Sequence, residues 1–221
     1  MPTFTIANLN IRTVAGSPDR ICYLLYPFDR LEEWTERAAP EFGVSIAVVT
    51  GMDWDNDLTS WPAKGQPPGS PDFKGNAAEF LSVLVSEVVP EVERRMNLGA
   101  DVERTLAGVS LSGLFTLWQW MSNSLFRNII SLSGSFWYDG FVTWIKSLPV
   151  PKKPGRAYFL LGNLEARTKV KAFQPVQTDT VEIVGYLHDN GISDIFELVP
   201  GNHYQFPEQR LDRAFARMFR K

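Results

Sequence analysis

A series of short apolar runs, each followed by a turn and a helix-length segment, constrains the fold of this chain most strongly. Residues 21–26, 44–49, 105–109, 128–133, 157–161 and 195–199 are of strand length and lack the apolar–polar alternation of a half-exposed strand. Such runs belong to strands covered on both faces. Between them lie helical segments at 31–39, 76–95, 112–121, 141–148, 174–190 and 207–219. Strands alternating with helices predict an α/β fold, a doubly wound and mostly parallel sheet with helices on both faces. Pro90 is expected to kink the second helix. Phe4, Ile6, Leu9 and Ile11 alternate loosely and predict one edge strand. The stretch 149–155 reads as a surface connection. With 221 residues, no internal repeat and no linker, the expectation is a single domain over 1–221.

In such a sheet the working residues lie on loops after the strands' carboxyl ends. The strand at 105–109 leads into Gly108-Val109-Ser110-Leu111-Ser112-Gly113, a tight turn opening a helix. Small residues are needed there because strand and helix approach closely. A serine at such a turn holds its hydroxyl clear of the sheet, beside free N–H groups at the helix start. Ser112 stands where a second glycine is usual, and only a slight adjustment is expected.

A serine hydroxyl is a weak nucleophile without a base and a group that orients the base. The chain has two histidines. His188 falls late in a helix before Gly191 and serves the helix end. His203 follows the last strand in Pro200-Gly201-Asn202-His203 and is the candidate base. Glu165, after the strand at 157–161, is the candidate acid, with Asp139, Asp179 and Asp194 as rivals. Asp194 precedes its strand and belongs to the wrong end of the sheet. An oxyanion hole needs two N–H donors. The amide of Leu111 is one candidate; Phe28 or Asp29 supplies the other, since Pro27 has no N–H.

The long stretch 51–72 carries Asp53, Trp54, Asp55, Asp57 and Trp61. Loops of that length are usually functional or disordered, and its tryptophans favour order. Asp57 and Trp61 are expected to tie it down or line a pocket, with Phe136, Trp137 and Tyr204 as further substrate contacts. The spaced aspartates lack the glycine of a calcium loop, because Leu58 takes its place. No metal and no cofactor are expected.

The net charge of −3, without a basic stripe, argues against nucleic acid as partner. No apolar stretch reaches membrane-spanning length, and the first residues do not read as a secretory signal. Cys22 is the one cysteine, apolar-flanked and read as core. An internal disulfide is thereby excluded, which suits a cytoplasmic location. The expected partner is a small-molecule ester; the oligomeric state, a homodimer included, stays open.

The chain resembles the esterase branch of the α/β-hydrolases that includes esterase D, the enterobactin-type siderophore esterases and the mycolyltransferases. The resemblance runs from about residue 23 onward. It rests on the motif around Ser110, on Ser131-Leu132-Ser133-Gly134-Ser135-Phe136-Trp137, on Leu161-Gly162-Asn163-Leu164-Glu165 and on Pro200-Gly201-Asn202-His203. The stretch Leu58-Thr59-Ser60-Trp61-Pro62-Ala63 adds to it. It implies an α/β-hydrolase fold without a large lid domain and a serine hydrolase acting through an acyl-enzyme. Ser110 would be nucleophile, His203 base and Glu165 acid. Members often carry an acid where this chain has Asn163, so a serine–histidine pair remains an alternative. Acyl transfer by the same nucleophile and non-catalytic ligand binding are the competing readings.

Overall fold

The computed structural model describes residues 3–28, 30–149 and 155–220. The connection expected at 149–155 falls largely outside them. Eight strands form one sheet in the order β1-β2-β4-β3-β5-β6-β7-β8. These are β1 (Thr3–Ile6), β2 (Leu9–Val14), β3 (Arg20–Leu25), β4 (Ser45–Thr50), β5 (Glu103–Val109), β6 (Asn128–Leu132), β7 (Arg156–Gly162) and β8 (Ser193–Val199). The pairings β1–β2 and β2–β4 are antiparallel; all others are parallel. The single edge strand expected at the start is therefore two. Ala7 and Asn8 both take positive φ, at 45° and 68°, the two-residue turn whose twist suits a hairpin.

The helices are α1 (Glu32–Phe42), α2 (Ala77–Val83), α3 (Val89–Met96), α4 (Leu111–Ser122), α5 (Phe141–Ser147), α6 (Val176–Asp189) and α7 (Pro207–Phe219). Pro90 does not kink one continuous α-helix. A π-helical turn, Leu84–Val88, separates α2 from α3 and sets the proline in the first turn of α3. There its missing N–H matters least.

Alternate strand residues face opposite ways and build two cores. Cys22, Leu24, Ile46 and Val48 pack with Trp34 and Phe42 of α1 and with Leu211, Phe215 and Met218 of α7. Tyr23, Leu25, Ala47 and Val49 face a larger cluster that takes in α2 to α6. Strands β3 to β7 have little exposed surface because both faces are covered. The carboxyl ends of β5, β6, β7 and β8 consequently open side by side along one sheet edge.

Candidate functional site

The turn after β5 is held by backbone fit. Ser110 has φ 58° and ψ −121°, a conformation that a side chain rarely adopts and that marks a functional turn. A Cβ on Gly108 would stand 2.3 Å from the Ser112 carbonyl oxygen, and one on Gly113 would stand 2.8 Å from the Ser131 hydroxyl. Strand and helix could not close with larger residues at either point. Ser112 is more than a tolerated substitute for glycine. Its buried hydroxyl accepts the Val109 N–H at 2.7 Å and lies 2.9 Å from the Leu25 carbonyl. It thereby ties α4 to the ends of β5 and β3.

The loops after β7 and β8 are joined to each other. Asn163 N–H donates to Val199 O at 2.7 Å, Leu164 N–H to Gly201 O at 3.0 Å, and Gly201 N–H to Asn163 Oδ1 at 3.1 Å. Asn163 thus commits its side-chain oxygen to loop docking. Two residues on, Glu165 turns inward with a side chain 2% exposed. His203 Nε2 lies 3.1 Å from Ser110 Oγ and its Nδ1 lies 2.8 Å from Glu165 Oε2. Ser110, His203 and Glu165, separated by long stretches of sequence, form one hydrogen-bonded row. Such a row can remove a proton from a hydroxyl and hold the imidazolium that results.

The other carboxylate oxygen, Glu165 Oε1, accepts from Ser133 Oγ at 2.6 Å, Gly162 N–H at 2.7 Å and Arg210 Nη1 at 2.9 Å. Burial by itself pushes this carboxyl up. The hydrogen bonds from His203, Ser133 and Gly162 and the charge of His203 outweigh burial and hold it below the usual glutamate range. It is therefore ionised when the imidazole needs it. Of its rivals, Asp179 lies in the first turn of α6, and burial and the nearby Glu182 push its carboxyl up to about 6. Asp139 gives its backbone oxygen to Trp61 Nε1 at 3.0 Å.

Above the row opens a cavity of about 500 Å³, lined by Ser110, Leu111, Ser133, Ser135, Glu165 and His203. Its walls carry Trp54, Phe73, Trp137, Phe173 and Tyr204, with Asp55, Gln66 and Arg167 as polar members. Ser135 Oγ stands 3.3 Å from Ser110 Oγ. Leu111, first residue of α4, lines the cavity beside Ser110, at a helix start that favours negative charge.

Several sequence expectations fail here. Trp61 does not line the cavity; its ring packs on Tyr138, Phe141 and Trp144. Asp57 accepts the Asp53 amide at 2.9 Å and ties its loop, the first of the two roles expected of it, without reaching the cavity. Phe136 is 1% exposed and stacks on Phe141 in the core. Consecutive residues of that loop diverge, so Trp137 reaches the cavity where Phe136 cannot. Phe28 stays an oxyanion candidate, because that role belongs to its backbone N–H; its side chain is 56% exposed and lies under the Arg30 guanidinium. Asp29, the other oxyanion candidate on that loop, lies outside the described residues. Trp137 and Tyr204 do line the cavity.

Sequence reasoning missed Arg210, Ser133 and the wall residues Trp54, Phe73 and Phe173. Arg210 left one trace: it heads the stripe Leu211, Ala214, Phe215 and Met218 that α7 buries, where a charge is out of place. Trp54 lay in the long stretch singled out at 51–72 without being chosen, and Phe73 and Phe173 left no trace, since such aromatics carry no period.

No protein-family model matches the chain. A curated relative, the uncharacterized protein YbbA of Bacillus subtilis (strain 168), is 26% identical over 172 residues, 76% of this chain and 69% of that protein. Solved structures match over nearly the whole chain. The siderophore hydrolase EstB from Aspergillus nidulans superposes with a TM-score of 0.78 at 19% identity, over 99% of this chain and 94% of that one. An IroE-like serine hydrolase from Shewanella oneidensis gives 0.78 at 16% identity, over 96% and 75%. The enterobactin and salmochelin hydrolase IroE gives 0.73 at 21% identity, over 96% and 89%. With the strand order and the turn at Ser110, these likenesses establish that the chain has the α/β-hydrolase fold, in the form that these hydrolases share.

Proposed function

We propose that this protein is a serine hydrolase that cleaves a carboxylic ester through an acyl-enzyme. The observation that carries the reading is the unbroken row from Ser110 Oγ through His203 to Glu165, with contacts of 3.1 and 2.8 Å. Ser110 Oγ attacks the ester carbonyl carbon, and its proton passes to His203 Nε2. Negative charge collects on the carbonyl oxygen beside the Leu111 amide. Removing one such donor typically costs about 10²–10³ in rate. The tetrahedral centre then collapses, and the departing alcohol takes the proton from His203. A water repeats the sequence, losing its proton to His203 as it attacks, and frees the acid and Ser110. Glu165 stays ionised throughout and keeps the ring turned toward Ser110.

The names of the neighbouring structures agree with this reading, and one of them is IroE in complex with DFP. A fluorophosphonate is accordingly the probe of choice. Wild type should be labelled and should hydrolyse a short nitrophenyl ester, whereas Ser110→Ala should do neither. Equal labelling of the two proteins would reject the assignment. Product analysis with an added alcohol separates hydrolysis from acyl transfer. We place the protein in the cytoplasm, because its cysteine is buried and free and, among the described residues, no helix is long and apolar enough to cross a membrane. A homodimer is the assembly to test by light scattering.

A further inference from the structure

Arg210 reaches from the first turn of α7 into the space beneath the row, and it is 5% exposed. Its Nη1 donates to Glu165 Oε1 at 2.9 Å and to Ser133 Oγ at 2.7 Å, and its Nη2 donates to Asn202 O at 2.6 Å. These acceptors sit on the loops after β7, β6 and β8. One planar guanidinium therefore joins the loop of the acid, the loop beside the hydroxyl and the residue next to His203. Only arginine has a rigid fork that can serve so many acceptors at once. The room for it is specific too: a Cβ on Gly162 would stand 2.4 Å from Arg210 Nη2. Arg210 lies behind Glu165 and is absent from the cavity wall.

We propose that Arg210 is a positioning residue that holds acid and base in register and limits how strongly Glu165 draws a proton onto His203. The inference rests on the hydrolase reading above. Glu165 shares its negative charge between a permanent cation on Oε1 and an imidazole on Oε2. The cation makes the imidazolium less favourable than a lone carboxylate would. The guanidinium fork meanwhile fixes the carboxylate that sets the angle at which the ring is held. Among the described residues, the other ionisable groups lining this cavity are Asp55, Arg167 and Tyr204. They are unchanged in the variants below.

The test follows the rate of inactivation by a fluorophosphonate against pH, with kcat and KM for a nitrophenyl ester, in wild type, Arg210→Met and Arg210→Lys. In wild type the rate falls on the acid side as His203 becomes protonated. Arg210→Met should move that limb upward by about one pH unit. It should lower the plateau about tenfold through kcat, with KM within about twofold. Arg210→Lys keeps the charge and loses the fork, so its limb should stay and its plateau fall several-fold. An unmoved limb in folded Arg210→Met overturns the proposal, whatever the plateau. Arg210→Met removes the partner of a buried carboxylate and risks unfolding; in that event a wild-type plateau in Arg210→Lys overturns it. Failure of the hydrolase reading looks different: wild type is then unlabelled at every pH, or Ser110→Ala is labelled equally.

Discussion

The two halves of the candidate site are built by opposite means. The Ser110 half comes from one contiguous stretch, and its geometry is a matter of backbone contact: Gly108 and Gly113 leave no room for a Cβ, and Ser112 bonds the turn shut. The His203 half is assembled from Ser133, Glu165, His203 and Arg210, carried on separate loops and a helix. Polar satisfaction and charge hold it together. The difference teaches that the two halves should fail differently. Steric damage at the turn should cost folding and rate together. Loss of His203 or Glu165 in the polar half should cost rate and alter pH dependence while the sheet stays intact.

The largest effect should come from the polar half. His203→Ala is expected to lower kcat for a short ester by about 10⁴–10⁶, and Glu165→Gln by about 10²–10⁴. Both variants should melt as folded proteins in a denaturant titration. If Glu165→Gln kept wild-type turnover, the working unit would be a serine–histidine pair and the comparison would lose one side. At the turn, Gly108→Ala forces a Cβ to 2.3 Å from a backbone oxygen. It should lower stability by about 3 kcal/mol and slow the ester reaction by about 10²-fold. A stable Gly108→Ala protein with lost activity would erase the distinction between the halves.

The smallest effect lies outside both halves, in the first turn of α6. Asp179 has its carboxyl pushed up to about 6 by burial and by Glu182. Its folded state therefore holds a proton that the unfolded chain releases near pH 4, so stability falls as pH rises from about 4 to about 6. Asp179→Asn removes that loss. It should be more stable than wild type by about 1 kcal/mol at pH 7, allowing for solvent screening. The gain should be gone below about pH 4, as paired unfolding curves would reveal. A gain that persists at pH 3 would mean packing and not charge.

Much of this molecule could be read before any coordinates. The unbroken apolar runs predicted a sheet covered on both faces, and strands and helices lie close to the expected bounds. Period and turn chemistry act locally, so residues 21–26 or 207–219 carry their own signal. The chain start was misread because Ala7 and Asn8 carry no glycine to announce a hairpin. The tight turn around Ser110 was legible for the same local reason. Which tryptophan would face the cavity was not. Trp61 and Phe136 packed into an aromatic cluster whose other members come from Tyr138, Phe141, Trp144 and Phe159, and no local pattern tells a loop ring which side it will take.

Sequence alone determined the parallel sheet, the sharp turn that presents Ser110 and the short set of residues able to work beside it. Each depends on neighbours within a few positions of the chain. Tertiary structure decided that Glu165 meets His203, that Asn163 instead docks two loops, and that Arg210 of α7 lies beneath both. These are contacts between distant segments, set by how the buried polar groups find partners once the sheet has closed.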